Sequence, residues 1–568
     1  MTNGRTVNTG EADEAGAGTV RYADDAALNE MLASVVTEVK KYAEVQAGHI
    51  RRLNEIGIAL SAEQNLDRLL EMILEEARSF SRADGGTLYT VDHERQCLDF
   101  AIVQNESMHI RMGGAGQPIT WPSVPLLVEG TPNYANVSSY VALTGEIVNI
   151  PDVYTAEGFD FSGPRKYDAT TGYRSRSMVV IPMRNKEDEI IGVLQLINAL
   201  DPGTGEVLPF SDNDVALVSS LASQAAVALT NVRLYQDLER LFESFIVTIA
   251  TAIDEKSPYT AGHIRRVQEL TMAIAAAINR ESDGVFKEFR FSGDELNELR
   301  IASWLHDVGK IITPEYVVDK KTKLETIIDG VDLVAARFDL LRKEARIRNL
   351  EAKLALYAGN DPPPDALAEL DARLAEEERR LCEERDFVVR CNQPGEYLGE
   401  ENRARLREIA AKRGEIDGCE TPYLTDDELT DLSVVKGSLN DREREIIMNH
   451  ALVTMKMLKC LPFPRRLRHV PEYASYHHEK LDGTGYPFRL RGDQLPLQTR
   501  IIAIADIFEA LTAKDRPYKR PMSIAETLKI MEFMKKDGHI DADILELFVR
   551  DEIYRDYAER ELDDCQPD

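Results

Sequence analysis

The sequence predicts a multidomain chain: an α+β domain, a long coiled-coil linker helix, and an all-α bundle interrupted by an inserted helical hairpin. Three observations carry this. Strand-like alternation appears only in the first half, in segments such as GTLYTVD, CLDFAIV and SMVVIPMRNKEDEIIGVLQLIN. Apolar residues then step by three or four from Val218 to Ile249. Beyond them, histidines and carboxylates recur in short, mostly helical contexts.

At 568 residues with a 43% apolar fraction, the chain is long enough for two or three cores. Its 98 acidic against 68 basic side chains, a net charge of −30, disfavour a broad duplex-binding surface, which needs a basic face. The six cysteines contain no CxxC, which disfavours a zinc ribbon or a disulfide framework. No signal peptide is legible, and no run approaches the roughly 18 apolar residues that span a bilayer. A cytoplasmic protein without a membrane partner is expected.

Taken in order, residues 1–25 are small, polar and acidic and read as a disordered arm. A helix is expected over 26–52, and the α+β domain over 53–232, opening on the amphipathic LDRLLEMILEEARSF. The linker helix is placed at 212–256, overlapping both neighbours. Val218, Leu221, Ala225, Ala228, Val232, Tyr235, Leu238, Phe242, Phe245 and Ile249 form its seam. Such a seam favours a parallel coiled coil between two chains; the alternative is one long helix packed on its own domain.

The bundle is placed at 240–560, with the insertion at 325–435. There Val334, Phe338, Leu341 and Ala345 continue, after a slip, as Ile347, Leu350, Leu354 and Tyr357. GNDPPPD then breaks the helix, and Leu367, Leu370, Leu374 and Leu381 resume the period. The charges on this hairpin read as a solvated face. As an outgrowth near the cleft it could serve as a lid, a dimer contact or a docking arm.

The chemistry-bearing residues are His263 in TAGHIRRV, His306 and Asp307 in WLHDVGK, His450 in MNHALVTMKML, His477 and His478 in HHEKLDGTGYP, and Asp506 in AIADIFEALTAKDRPYK. Imidazoles and carboxylates without cysteine suit borderline divalent ions rather than a structural zinc site. A carboxylate beside a histidine can bridge two ions about 3.5–4 Å apart, an arrangement suited to phosphodiester hydrolysis. Lys310 follows Asp307 by three residues, so on a helix it shares nearly the same face and could neutralise charge on a phosphate oxygen.

Residues 53–232 resemble a GAF domain, the small-molecule sensor fold. They look most like the GAF domains of cyclic-nucleotide phosphodiesterases, which carry Asn-Lys and, farther on, Phe, three residues and Asp-Glu. Here Asn198 is followed by Ala199, and Phe210 precedes Asp214 and Val215, so two of the five positions depart. The resemblance implies a small-molecule or cyclic-nucleotide ligand; a domain that binds nothing and mainly dimerises is the other reading.

HDVGK together with HHEKLDGTGYP closely resembles the HD-GYP class of the HD metal-dependent phosphohydrolases, over about 240–325 and 436–545. The resemblance implies an all-α bundle that hydrolyses cyclic di-GMP to pGpG or GMP, or another cyclic dinucleotide such as 3′,3′-cyclic GMP-AMP; with the seam it makes a GAF-regulated homodimer the expectation, and a catalytically weak signalling scaffold that binds nucleotide is the other reading. It implies that His263, His306, Asp307 and Asp506 hold one ion and Asp307, His450, His477 and His478 the other, with Asp307 as the bridge. The cofactors implied are two divalent ions per chain, iron or manganese before nickel or zinc. Lys310, Arg516, Lys519, Gly485 and Tyr486 would meet the substrate, Arg516 gripping two phosphate oxygens.

Three departures stand out. Members of the class with a third metal carry a glutamate where this chain has Tyr259, so two ions are expected. Glu509 replaces the usual aspartate. The gap from His306 to His450 is 144 residues, against roughly thirty in compact members.

Overall fold

The structure, a computed structural model, describes residues 26–256, 262–359, 363–395, 397–514 and 522–562. It divides into two compact units, Met1–Arg240 and Leu241–Asp568.

In the first unit, α1 (Ala26–Ala62) precedes α2 (Leu66–Ser81), whose first turn is capped by the Asn65 side chain. Strands β1 (Ala83–Asp92), β2 (Cys97–Asn105) and β3 (Ile110–Met112) follow. Next come the two-residue strands β4 (Val124–Pro125), β5 (Leu127–Val128) and β6 (Thr131–Pro132), and helix α3 (Val137–Thr144). The unit then runs through β7 (Val148–Ile150), α4 (Ser162–Thr171), β8 (Met178–Arg184), β9 (Ile190–Leu200) and β10 (Val207–Leu208) into α5 (Asp212–Asp254).

The main sheet is antiparallel with order β3-β2-β1-β9-β8-β7, while β4 pairs β2 and β10 pairs β9. Both faces are covered, so its central strands lack a polar side. Val179, Ile181 and Met183 of β8 enter the core shared with α2 and α5, and the intervening Met178 and Val180 enter a second core with Val137, Val141 and Phe161. From α1, Ile56 and Leu60 join the first of these cores.

Helix α5 corrects two expectations. Contrary to the sequence reading, it holds an 18-residue window of mean hydropathy 1.5, long and apolar enough by composition to cross a membrane. Its side chains at Val218, Leu221, Ala222, Ala225, Ala226, Leu229 and Val232 are buried against the sheet, which is how a core helix acquires that composition. The same burial claims the first half of the seam for the helix's own domain. Only from Tyr235 onward, at Tyr235, Leu238, Phe245 and Ile249, is the seam exposed.

The second unit is helical. Ile246, Ala250 and Ile253 from the end of α5 pack with α6 (His263–Arg280), α7 (Gly293–Leu305), α15 (Leu497–Thr512) and α17 (Ala542–Arg550) in one core. Between α7 and α15 lie α8 (Glu315–Val318), the insertion, α13 (Asp441–Leu458) and α14 (Val470–Ser475). Helix α16 (Ile524–Lys536) precedes α17, and α18 (Arg555–Glu561) follows it.

The insertion is a hairpin of α9 (Val331–Gly359) and α10 (Pro364–Cys391), as the sequence implies. It stands on a base of α11 (Glu400–Ala410), a ribbon of β11 (Arg413–Ile416) and β12 (Cys419–Pro422), and α12 (Asp426–Leu432). Val334, Phe338, Leu341, Leu381, Phe387 and Tyr423 belong to its separate core. The expected slip in α9 is instead a change of face: Val334 to Ala345 point inward, whereas Ile347, Leu350, Leu354 and Tyr357 are exposed.

A buried ion pair pins the insertion's two stems. Lys320 Nζ donates to both Glu443 oxygens at 2.7 and 2.9 Å, and Glu443 also closes the capping box of α13 with Asn440. Lys320→Met strands that carboxylate and is expected to lower stability by about 3–5 kcal/mol. Lys320→Met combined with Glu443→Gln should recover part of the loss in chemical denaturation, since the second change removes the unpaired charge.

Candidate metal centre

The metal-type residues named from the sequence lie on helices, at their boundaries or in the turns after them, and come together in one cluster of the second unit. His263 opens α6, His306 ends α7, His450 lies midway along α13, and Asp506 is on α15. His477 and His478 are in the turn after α14. Asp307 caps a 3-10 turn, Val308–Ile312, not the α-helix expected. Residues three apart nearly eclipse in such a turn, which brings Lys310 Nζ to 2.6 Å from Asp307 Oδ2.

Asp307 faces both sides of the cluster. Its Oδ2 is 3.4 Å from His263 Nε2 and 3.3 Å from His306 Nε2, and its Oδ1 is 3.4 Å from His450 Nε2 and 4.0 Å from His477 Nε2. Asp506 Oδ1 is 3.4 Å from His263 Nε2. Donors bound to one ion at about 2.1 Å lie roughly 3–3.5 Å apart, so these separations suit a shared cation. Two groups, His263-His306-Asp307 and His450-His477-His478, each present ligand atoms within 4.8 Å of one another.

The tautomers fit the same use. His306, His450 and His477 direct Nδ1 at the backbone carbonyls of Ser303, Ile447 and Ala474. A carbonyl only accepts, so each Nδ1 carries the proton and each Nε2 keeps its lone pair. His263 Nδ1 is 2.5 Å from Glu509 Oε2, an acceptor that also receives Arg266 Nε at Oε1, 2.8 Å away. Among the described residues, the Nε2 atoms of all four rings, and Asp307 Oδ1, are buried without a hydrogen-bond partner. Such desolvation is costly unless something binds there.

Electrostatics separate the two groups. Burial holds His450 below its ordinary value; burial and His306 push His477 down to about 3; burial, His477 and His450 hold His478 well below the usual range. These rings stay neutral, the form in which imidazole binds metal. Burial would also lower His263, but Glu509, Asp307 and Asp506 outweigh it and raise it to about 10. Burial would raise Asp307, yet Lys310, His306 and His263 hold it well below the usual carboxylate range. The negative field around His263 is one a cation would also occupy favourably.

Close packing aligns the two groups. A Cβ on Gly309 would lie 2.0 Å from the His450 carbonyl oxygen, so only glycine lets the Asp307 turn sit against α13. Thr454 Oγ1 accepts the Gly309 N–H and donates to the His306 carbonyl. In HHEKLDGTGYP the two carboxylates are structural. Glu479 accepts N–H bonds from Phe488, Arg489 and Leu490, and Asp482 accepts from Thr484. Gly483 has φ +82, while Gly485 permits contact with Glu479, where a Cβ would be 2.5 Å from Cα. The Tyr486 ring stacks on His478 at 4.8 Å between centroids. Arg516 and Lys519 lie outside the described residues, as does Tyr259.

The sequence reading left Glu509 as a mild substitution and missed Arg266, Thr454 and Glu479. Arg266 is three residues after His263 on α6, a spacing that could have linked the two. The contacts of Glu509 and Thr454 cross between distant segments and leave no local signal.

Residues 65–229 match the GAF domain family, and residues 260–387 and 425–544 each match an HD domain family. The 3′3′-cGAMP-specific phosphodiesterase 1 of Vibrio cholerae is 40% identical over 114 residues, 20% of this chain and 26% of that protein. Phosphodiesterase 3 of the same specificity and organism is 47% identical over 97 residues, 17% of this chain and 20% of that protein. A cyclic di-GMP phosphodiesterase of Pseudomonas aeruginosa is 35% identical over 114 residues, 20% and 26% of the two chains. The matched stretch is about a quarter or less of each relative's length. The first HD match runs on through most of the hairpin and the two leave 388–424 between them; α6 and α7 from the first and α14, α15 and α17 from the second share one hydrophobic core. The chain therefore carries a GAF domain followed by an HD domain whose two matched stretches close around a single cluster of metal-type ligands.

Proposed function

We propose that this chain is a metal-dependent phosphodiesterase of cyclic dinucleotides, taking cyclic di-GMP to pGpG or GMP. The observation that carries the reading is Asp307, with one oxygen facing His263 and His306 and the other facing His450 and His477. Two divalent ions, iron or manganese, would be held by these residues with His478 and Asp506. Bound there, they supply Lewis acidity and a water acidic enough to attack phosphorus near neutral pH.

The protein's own groups do the rest. The backbone carbonyls and Glu509 orient the four rings so that each Nε2 faces inward. Lys310, already beside Asp307, is placed to meet a phosphate oxygen as charge develops. Tyr486 covers His478. Arg516 and Lys519 are proposed as the grip on the second phosphate. The GAF domain is proposed to regulate turnover through α5, and the exposed seam from Tyr235 to Ile249 to pair two copies in a homodimer.

The second reading is 3′,3′-cyclic GMP-AMP as substrate. It is favoured by the higher identities, 40% and 47%, to relatives of that named specificity, against 35% to the cyclic di-GMP enzyme. The test is metal content by mass spectrometry on anaerobically purified chain, with both cyclic dinucleotides followed by chromatography on the same sample. Two ions per chain and linear product from cyclic di-GMP are expected. Product from the mixed dinucleotide alone would select the second reading, and a metal-loaded chain that leaves both intact would end both.

A further inference from the structure

The 3-10 turn Val308–Ile312 begins at Asp307 and carries Lys310. As at any helix end, its last carbonyls look for partners beyond the turn, although that of Lys310 already accepts the Thr313 N–H. Lys256 supplies them: its Nζ donates to the carbonyls of Lys310 at 3.1 Å, Ile311 at 2.6 Å and Thr313 at 2.6 Å. An ammonium has three donors, and all three are spent on this turn.

Lys256 lies two residues beyond the end of α5 and continues its last turn, its N–H bonding to the Ile253 carbonyl. Two residues earlier, Asp254 accepts the Ile264 N–H at 3.2 Å through Oδ2. That amide belongs to the first turn of α6, which opens with His263, and the Gly262 N-cap has no side chain to cap it. Ile246, Ala250 and Ile253 are buried in the bundle core, so the end of α5 is anchored where these bonds are made.

We propose that Asp254 and Lys256 form a positioning latch: the last turn of α5 holds His263 through the start of α6, and Asp307 and Lys310 through the 3-10 turn. The inference rests on the metal-site reading above and gives α5 a defined point of action on it. A helix bonded at one end to both segments changes the spacing of His263 from Asp307 whenever that end shifts. The latch bonds of both residues run to the backbone.

The test uses the full chain. Lys256→Met keeps the aliphatic stem and removes the three donors. Amide exchange at 308–313 is expected to speed by about tenfold or more, and metal retained after dialysis to fall. Misplacement of the reacting groups should lower kcat by about 10–100-fold with KM within about twofold. Lys256→Arg, which still donates to carbonyls, should restore most of each. Asp254→Ala should free the amides at 263–266, whereas Asp254→Asn keeps an acceptor and leaves them slow. Wild-type exchange and metal retention in Lys256→Met would overturn the latch. These two readouts need no turnover: faster exchange in Lys256→Met beside a wild type inactive on every cyclic dinucleotide sinks the phosphodiesterase reading and leaves the latch. Unchanged exchange beside normal turnover does the reverse.

Discussion

Asp307→Asn is expected to cost at least about 10³-fold in turnover of whichever cyclic dinucleotide the wild type hydrolyses, with the far-UV circular dichroism unchanged. The reason is charge and symmetry together. Each carboxylate oxygen faces a different pair of imidazole nitrogens, and both oxygens carry negative charge. An asparagine of the same size has one acceptor, and its amide N–H₂ would point a donor at one of the two groups. A cation there would be repelled on one side and under-neutralised on the other. Losing several kcal/mol of Lewis-acid stabilisation, at about 1.4 kcal/mol per tenfold, gives the stated factor. Metal content measured on the same sample should fall. Turnover within tenfold of wild type would show that Asp307 does not bridge anything the reaction needs.

Glu509→Gln is expected to act on both stability and metal affinity, although Glu509 would touch neither metal nor substrate. Its two oxygens accept from His263 Nδ1 and from the Arg266 guanidinium, all three groups being buried. A glutamine must turn its single oxygen toward the guanidinium, which only donates, so its N–H₂ faces His263. The ring then has to accept at Nδ1 and carry its proton on Nε2, the atom directed at Asp307 and Asp506. A loss of about 10–100-fold in metal affinity follows from this kind of supporting contact. Leaving Arg266 without its carboxylate should cost about 3–5 kcal/mol in the metal-free chain, read by denaturation. Glu509→Asp keeps two acceptors on a shorter arm and should lose much less of both. Equal losses in the two variants would mean that side-chain length, not the tautomer, governs the site.

These two residues mark the line between what local sequence carries and what it does not. The cluster was legible because metal-type ligands have few alternative uses in combination: His263, His306, Asp307, His450, His477, His478 and Asp506 are named from short strings, and the fold brings them into one cluster. The α+β region, the linker helix and the hairpin were legible for a similar reason, since hydrophobic period depends only on neighbours a few residues apart.

Periodicity says that a helix has an apolar face but not what covers it. Val218 to Val232 and Tyr235 to Ile249 read as one seam, yet the first part lies against the β-sheet, whereas in the second Tyr235, Leu238, Phe245 and Ile249 are exposed. In α9, Val334 to Ala345 and Ile347 to Tyr357 read as one stripe with a slip, and the structure assigns them to opposite faces.

Sequence alone, then, determined the order of the domains, the ligand types of the site and the class of chemistry they suit. Only the tertiary structure decided that Asp307 faces both groups, that Glu509 and three backbone carbonyls set the tautomers, that Glu479 holds the glycine-rich loop, and that Lys256 ties the linker helix to the turn after Asp307. The physical reason is range. Propensity and period are settled within a few residues, whereas a hydrogen bond between His263 and Glu509, or between Lys256 and the carbonyl of Thr313, exists only after the chain has closed on itself.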